Sequence, residues 1–180
     1  MKEFEVTDPD IRIRSGAAAA FIAAFGPYRA RGEKVILRVV GLDAVPTDAE
    51  ATLPLGRFLG AMRELQHQFG PSFMRKIGAL VYETAQLPPG LDTLEKLLMT
   101  LNQGYYMNHV CADGKIGSYT WTPNGGKGGV MFCDTPYPCA FDIGLFESLA
   151  TRFESAGRVT HLDGACRNKG GDSCSYLIEW

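Results

Sequence analysis

The sequence has no block or stripe of lysine and arginine, and its 18 basic residues are nearly balanced by 20 acidic ones. Proteins that bind nucleic acid neutralise phosphates with clustered positive charge, so we do not expect a nucleic-acid partner. The longest apolar run, Ala17 to Phe25, is far shorter than the ~20 residues that span a bilayer, so we expect no membrane span. Asp8 and Asp10 precede any apolar run, which is not typical of a secretory signal. We therefore expect a cytoplasmic protein.

The motifs of common redox enzymes are also missing from the sequence. No Gly-x-Gly-x-x-Gly run follows an apolar strand, and no cluster of four cysteines is spaced for an iron–sulfur centre. Cys166 and His161 are a conceivable nucleophile–base pair, but nothing in the sequence supplies a third group that would orient the base. We expect that the protein is not an enzyme, with an enzyme as the alternative.

The hydrophobic pattern divides the chain into two parts. The 180 residues, 46% of them apolar, suffice for one domain over 1–180 with a full core. Apolar residues recur at helical spacing in the first half, above all from Leu55 to Phe69. After Tyr105 the pattern changes to short alternating runs that are typical of strands, with one helix over 138–153 between them. We predict an α+β fold, in which a helical N-terminal half (about 1–105) packs on a small antiparallel sheet with a crossing helix (about 106–180).

Some segments of the first half have less certain boundaries. Residues 28–41 fit either a short strand or a helix, because periodicity does not choose between them. The polar segment 43–54 is predicted to be a loop. A helix is predicted from Pro71 to Leu87, since proline fits the first helical turn and Pro88-Pro89-Gly90 ends the pattern. Either Asp92 or Thr93 is placed to cap the next helix.

Three of the five cysteines lie near the C-terminus and form a candidate metal site. Cys166 and Cys174 flank a turn that contains Gly170-Gly171, and this pair lets the backbone bring both sulfurs to one centre. Cys139 falls in the predicted first turn of a helix, where the helix dipole favours the thiolate that binds metal. Zinc takes about four such ligands in a tetrahedron. Three buried cysteines without a metal are the alternative.

The fourth ligand is open between two residues, Asp163 and His161. They lie two positions apart in a predicted strand, so both side chains would point to the same face. The spacing of these residues therefore predicts a metal site without choosing its last ligand.

Aromatic and polar side chains cluster around the transition from helices to sheet. A pocket of this composition suits an aromatic or other hydrophobic small molecule. Ordinary core packing is the alternative for each member. The candidate pocket residues are Tyr105, Tyr106, His109, Trp121, Phe132 and, on the crossing helix, Phe146.

Two segments resemble the 4-vinyl reductase domain family: Pro136-Tyr-Pro-Cys-Ala-Phe-Asp142 and Cys166-Arg-Asn-Lys-Gly-Gly-Asp-Ser-Cys-Ser-Tyr176. This family includes a protein associated with bacteriochlorophyll synthesis and the sensor domains of phenol- and toluene-responsive bacterial transcription activators. In those sensors the closing cysteine pair binds a structural zinc, together with an upstream cysteine and an acidic residue, in a domain that encloses a small hydrophobic cavity. The resemblance implies a zinc site formed by Cys139, Cys166, Cys174 and Asp163, with His161 as the alternative fourth ligand.

The order of elements is similar to that of heme nitric-oxide/oxygen-binding (H-NOX) domains, whose ligand-binding fold is shared with Golgi transport subunits that hold an acyl chain. The likeness begins at Leu91-Asp92-Thr93-Leu94 and continues through a helix, two strands, a helix and two strands. Where those domains place the heme-ligating histidine, this chain has Glu95. Their Tyr-x-Ser-x-Arg heme-propionate motif falls on residues 137–141, which lack the arginine. The resemblance therefore implies the fold, whereas heme is expected to be unlikely.

Taken together, these patterns favour a sensor domain that binds a small hydrophobic molecule and holds a structural zinc. We expect it to signal through a homodimer or a partner protein, with the N-terminal helices as the candidate face. An accessory or carrier protein of tetrapyrrole reduction and a protein-interaction scaffold are the alternatives.

Overall fold

The computed structural model describes residues 2–48, 50–83, 90–112, 114–153, 156–164 and 166–180. Its helices are α1 (Ser15–Ala23), α2 (Arg29–Val40), α3 (Leu55–Phe69), α4 (Pro71–Glu83), α5 (Leu94–Met107) and α6 (Cys139–Phe153). Its strands are β1 (Arg12–Arg14), β2 (Thr52–Pro54), β3 (His109–Val110), β4 (Tyr119–Pro123), β5 (Gly128–Cys133), β6 (Arg158–His161) and β7 (Cys174–Glu179). The predicted α+β class, helices packed with antiparallel strands, is confirmed.

The ends of helices α3 and α5 are explained by individual residues at their termini. In α3 the positions at helical spacing, Phe58, Met62 and Leu65, are fully buried. The helix ends at Gly70, whose φ of 85° is open to glycine and strained for other residues. Helix α5 is capped by Thr93, whose side chain accepts a hydrogen bond from the Lys96 N–H at 3.3 Å.

Two antiparallel sheets flank the helices. The three-stranded sheet has the order β2-β1-β3, and the four-stranded sheet has the order β4-β5-β7-β6. Within the larger sheet Cys133 pairs with Tyr119 on one side and with Cys174 on the other. Because side chains alternate along a strand, these three residues share the buried face, whereas Phe132 points to the opposite face and is 40% exposed.

Helices α4 and α6 touch through their backbones at two glycines. A Cβ atom added to Gly144 would lie 1.8 Å from the Arg75 carbonyl oxygen, and one added to Gly78 would lie 2.1 Å from the Phe141 carbonyl oxygen. Glycine is therefore required at both positions for the observed approach of the two helices. This glycine seam places the cavity-facing side chains of both helices on adjoining walls.

The structure resolves the uncertain segments of the first half. Residues 29–40 form α2 rather than a strand, and the segment predicted as a loop over 43–54 ends in β2. The smaller sheet was not predicted, because β1 and β3 are only three and two residues long and leave no alternation to detect. The predicted end of α4 between Leu87 and Gly90 falls largely on residues outside those that the structure describes.

Candidate functional site

A cavity of about 550 Å³, partly open to solvent, lies between the helices and the edges of both sheets. Its volume falls in the range of small-molecule sites, roughly 300–1,000 Å³. Its polar groups include His109 and the tyrosines 82, 105, 119 and 137. The apolar part of the wall is formed by Ile13, Ala17, Phe21, Phe58, Val81, Leu91, Leu97, Leu101, Phe141 and Leu145. The cavity thus combines a large apolar surface with a few polar tips.

His109 follows the end of α5 and is 7% exposed. Its Nδ1 lies 2.7 Å from the Tyr105 carbonyl oxygen, which accepts and cannot donate, so Nδ1 carries the proton. Its Nε2 lies 2.8 Å from the Tyr137 hydroxyl and must therefore accept the hydrogen bond. Burial lowers the pKa of His109 to about 4, so the imidazole is neutral near pH 7.

Tyr137 is held firmly in the cavity wall. Its ring stacks on Phe141 with 5.6 Å between centroids, and Pro136 and Pro138 restrict the backbone on both sides. The neighbouring tyrosine hydroxyls have separate partners: Tyr105 donates to the Ile116 carbonyl at 2.9 Å. The Tyr137 hydroxyl, which donates to His109, is therefore held in place by the packing of its ring on Phe141 and by the two prolines that restrict its backbone.

The cavity contains two of the six predicted pocket residues. Tyr105 and His109 line it. Tyr106 instead donates to the Gly117 carbonyl, and Trp121 stacks on Trp180 with centroids 6.2 Å apart. Phe132 lies on the outer face of the larger sheet, and Phe146 is fully buried against Tyr119 and Tyr176. The six predicted pocket residues therefore do not form one site: some line the cavity, some are packed in the core, and Phe132 lies on the surface.

The three cysteines of the candidate metal site meet at one point. The sulfur of Cys139 lies 3.1 Å from that of Cys174 and 3.5 Å from that of Cys166, and the last two are 3.9 Å apart. A disulfide needs about 2.05 Å between sulfurs, so these distances describe separate thiols. Ligands at the ~2.3 Å Zn–S distance of a tetrahedral site lie roughly 3.8 Å from one another, which is close to the observed spacing.

His161, and not Asp163, joins the thiols. The ligand atoms of His161 and the three cysteines all lie within 4.8 Å of one another. The Nε2 atom of His161 is buried and has no hydrogen-bond partner, and its ring stacks on Tyr176. Asp163 is exposed, and although it lines the same cleft as Cys139, His161 and Cys166, it is not among the residues whose ligand atoms converge. The geometry therefore reverses the order of the two candidates for the fourth ligand.

A buried charge network supports this thiol cluster (Cys139, Cys166, Cys174 and His161). Arg167 donates from its backbone and its Nε to the Cys174 sulfur, both at 3.4 Å. A hydrogen bond from Cys139, followed by those from Arg167, lowers the pKa of Cys174 to about 3, which favours its thiolate. Arg167 also pairs with Asp142, and both side chains are completely buried. Asp142 in turn accepts a hydrogen bond from Tyr119, a cavity residue, at 2.7 Å.

Most of the cavity wall was not predicted, and neither were three polar residues that support the two sites: Tyr137, Asp142 and Arg167. Tyr137 carries one detectable signal, since it is an aromatic residue between two prolines and two positions before the candidate ligand Cys139. Asp142 and Arg167 are 25 positions apart in sequence, and each looks like an ordinary surface charge until folding buries the pair.

Comparison with solved structures gives matches over nearly the whole chain. One is an H-NOX domain in which the function of heme distortion was probed, with a TM-score of 0.69 and 17% identity, covering 93% of this chain and 95% of the other. Another is an oxygen-binding H-NOX domain related to soluble guanylate cyclases, with a TM-score of 0.66, 17% identity and coverages of 93% and 94%. A protein studied for modulation of heme redox potential through porphyrin distortion gives a TM-score of 0.68, 16% identity and coverages of 93% and 100%.

The fold is that of the H-NOX domains. No protein-family model matches the sequence, and no curated protein matches it either. The H-NOX-like fold predicted from the order of elements is thus confirmed, whereas membership of the 4-vinyl reductase family stays a prediction. Among the residues that the structure describes, no helix has the length and apolar composition needed to cross a bilayer.

The expectation that heme is unlikely is contradicted, because the structures with this fold are heme-binding domains. That expectation relied on Glu95 in place of a histidine and on the missing arginine in residues 137–141. Glu95 is exposed and does not line the cavity, whereas His109, beyond the other end of the same helix, does. His109 was among the predicted pocket residues, and the fold brings its imidazole to the cavity.

Proposed function

We propose that this chain is a sensor domain that binds a flat hydrophobic molecule in its central cavity, with heme as the first candidate. The observation that carries the proposal is a neutral imidazole, His109, in the wall of an otherwise apolar cavity of about 550 Å³. The heme-binding H-NOX domains of the same fold support heme over other flat molecules.

The residues of the cavity suit heme in their chemistry. Histidines that ligate metals usually donate their second ring N–H to a carbonyl or carboxylate, and Nδ1 of His109 donates to the Tyr105 carbonyl. Heme, when bound, would supply an iron atom that the His109 imidazole could ligate and that could bind a diatomic gas. None of the described residues that line the cavity is lysine or arginine. The chain would therefore hold heme through apolar contacts and His109 rather than through ion pairs to its carboxylates.

A heme titration with histidine variants tests this function. The wild-type protein should take up one heme per chain and give a Soret band typical of histidine ligation, and His109→Ala should lose that band. His67→Ala is the matched control, because His67 is exposed on α3 and remote from the cavity lining. Uptake of heme with an unchanged spectrum in His109→Ala would show that His109 is not the ligand. If the protein binds an aromatic probe but takes up no heme, the proposal of a ligand-binding cavity stands and heme is rejected as its ligand.

For the thiol cluster we propose a structural zinc held by Cys139, Cys166, Cys174 and His161. The sulfur spacing and the unpartnered Nε2 of His161 support this set over one that includes Asp163. A Cys₃His site is one of the common structural zinc sites, and binding energy at such sites adds to folding stability.

Metal analysis of purified variants tests the zinc proposal. We expect one zinc per chain in the wild type, loss of zinc and a lower melting temperature in Cys174→Ser and His161→Ala, and full retention in Asp163→Ala. Cys111→Ser is the control, since Cys111 lies outside the cluster. Less than about one zinc in several chains of wild type would contradict the proposal, given how tightly structural zinc is held.

The predicted homodimer or signalling partner also stays a proposal. Sedimentation of the protein with and without its cavity ligand tests it, because a sensor that signals through a second copy changes its association when the ligand binds.

A further inference from the structure

We propose that the Tyr137 hydroxyl gates metal ligation by His109, an inference that rests on the proposed heme-binding function. The two side chains form one buried hydrogen bond, 2.8 Å from Tyr137 oxygen to Nε2. Because Nδ1 is committed to the Tyr105 carbonyl, Nε2 holds the lone pair that a metal needs. The same lone pair accepts the tyrosine proton, so the two partners compete for one atom.

The gate is closed by the packing of the tyrosine itself. Tyr137 is 6% exposed, and its ring contacts Phe141 and Tyr105. Its backbone lies between two prolines, and the Pro136 carbonyl accepts a hydrogen bond from the Phe4 N–H at 2.7 Å. Since the segment is fixed at both ends, ligation by His109 requires rotation of the tyrosine hydroxyl or displacement of its ring.

The gate determines which molecules use the histidine. A purely apolar ligand gains nothing by breaking the bond, so it occupies the cavity with Tyr137 and His109 still paired. A ligand that carries a metal centre gains a metal–nitrogen bond and offsets the loss of the hydrogen bond. Tyr137 is therefore a specificity-determining residue. It weakens the ligation of any metal centre by His109 by the same amount and leaves the binding of purely apolar ligands unchanged.

Tyr137→Phe tests the gate, because it keeps the ring and removes only the hydroxyl. Heme should bind this variant roughly threefold to tenfold more tightly than the wild type, the value of one neutral hydrogen bond. Tyr106→Phe is the matched control: it also removes a tyrosine hydroxyl, one that bonds Gly117 rather than His109, and should leave the affinity unchanged. Circular dichroism and melting of both variants confirm that each folds.

A measurement on the heme-free protein gives a second readout. In ¹⁵N NMR of labelled histidine, Tyr137→Phe should move the Nε2 signal of His109 toward that of an unpaired nitrogen and leave Nδ1 protonated. An unchanged Nε2 signal would show that no such hydrogen bond forms in solution and would overturn the gate.

The outcomes separate the gate from the proposed function. Equal or weaker heme affinity in Tyr137→Phe overturns the gate and leaves heme binding intact. Uptake of heme by Tyr137→Phe alone supports the gate and overturns heme binding as the function of the native chain. Failure of both proteins to bind heme overturns both proposals.

Discussion

Replacing Asp142 by asparagine removes one charge from the buried pair that joins α6 to the thiol cluster. Both side chains of the Asp142–Arg167 pair are 0% exposed. The substitution removes the carboxylate partner of the guanidinium and leaves it with the Thr135 hydroxyl at 2.9 Å, the Thr135 carbonyl and the Cys174 sulfur. A buried charge deprived of its counter-ion costs about 3–5 kcal/mol of folding free energy.

The expected effect is large enough to measure by two methods. For a domain of this size, each kcal/mol shifts the melting temperature by about 2–4 °C, so Asp142→Asn should lower it by roughly 6–20 °C. Urea unfolding should show a lower midpoint with an unchanged slope. The Tyr119 hydroxyl still reaches a carbonyl oxygen in asparagine, so the measured loss reports on the charge rather than on that hydrogen bond.

An exposed ion pair supplies the control. Glu147 pairs with Arg75 on the surface, where the two side chains are 34% and 53% exposed. Glu147→Gln should cost no more than about 1 kcal/mol, because exposed pairs are screened by water and salt. If Asp142→Asn is destabilised by no more than this control, the reasoning from burial is refuted.

Three further predictions concern single residues. Between pH 6.5 and 4, His109 becomes protonated in the unfolded chain but stays neutral in the folded chain, where its pKa is about 4. The free energy of unfolding of the heme-free protein should therefore fall by up to about 3 kcal/mol as the pH is lowered over this range. Urea unfolding should show a weaker dependence of this free energy on pH in His109→Phe. Gly144→Ala should lower the free energy of unfolding by at least about 2 kcal/mol, because the added Cβ meets the Arg75 carbonyl. Gly16→Ala is the control in the same assay: a Cβ added there has no atom within 4 Å, so this variant should be neutral or slightly stabilising. Phe132→Ser, at a position 40% exposed, should change the melting temperature by under about 4 °C and leave heme uptake unchanged; a loss of uptake would restore Phe132 to the ligand site.

The parts of the fold that were predictable have strong local signals. Helix α3 combines apolar residues at regular spacing with a Gly-Pro stop, and its observed bounds, Leu55–Phe69, match the prediction. Segment 28–41 has apolar residues too close together for periodicity to decide, and its packing against α3 makes it helical. The smaller sheet depends on pairing between residues far apart in sequence, such as Ile13 with Leu53 and with His109. No window of the sequence carries that information.

The candidate sites show the same division. The spacing of Cys166 and Cys174 around a Gly-Gly turn predicted that they approach each other, and their sulfurs lie 3.9 Å apart. The choice between His161 and Asp163 depends on where β6 ends, because His161 is its last residue and Asp163 lies beyond it in an exposed turn. The gate at His109 depends on Tyr137, which lies in the segment between β5 and α6 and is 28 positions away in sequence, so it was visible only once the chain had folded.

The glycine seam has a consequence for how the domain responds to a ligand. Helices that meet backbone to backbone, as α4 and α6 do at Gly78 and Gly144, cannot slide or separate without breaking many close contacts at once. We therefore expect them to move as one body, so that the cavity widens by displacement of α1, α3 or α5 relative to this unit. We expect a change that begins at the ligand to displace these other helices, while Cys139, the first residue of α6, stays with the α4–α6 unit.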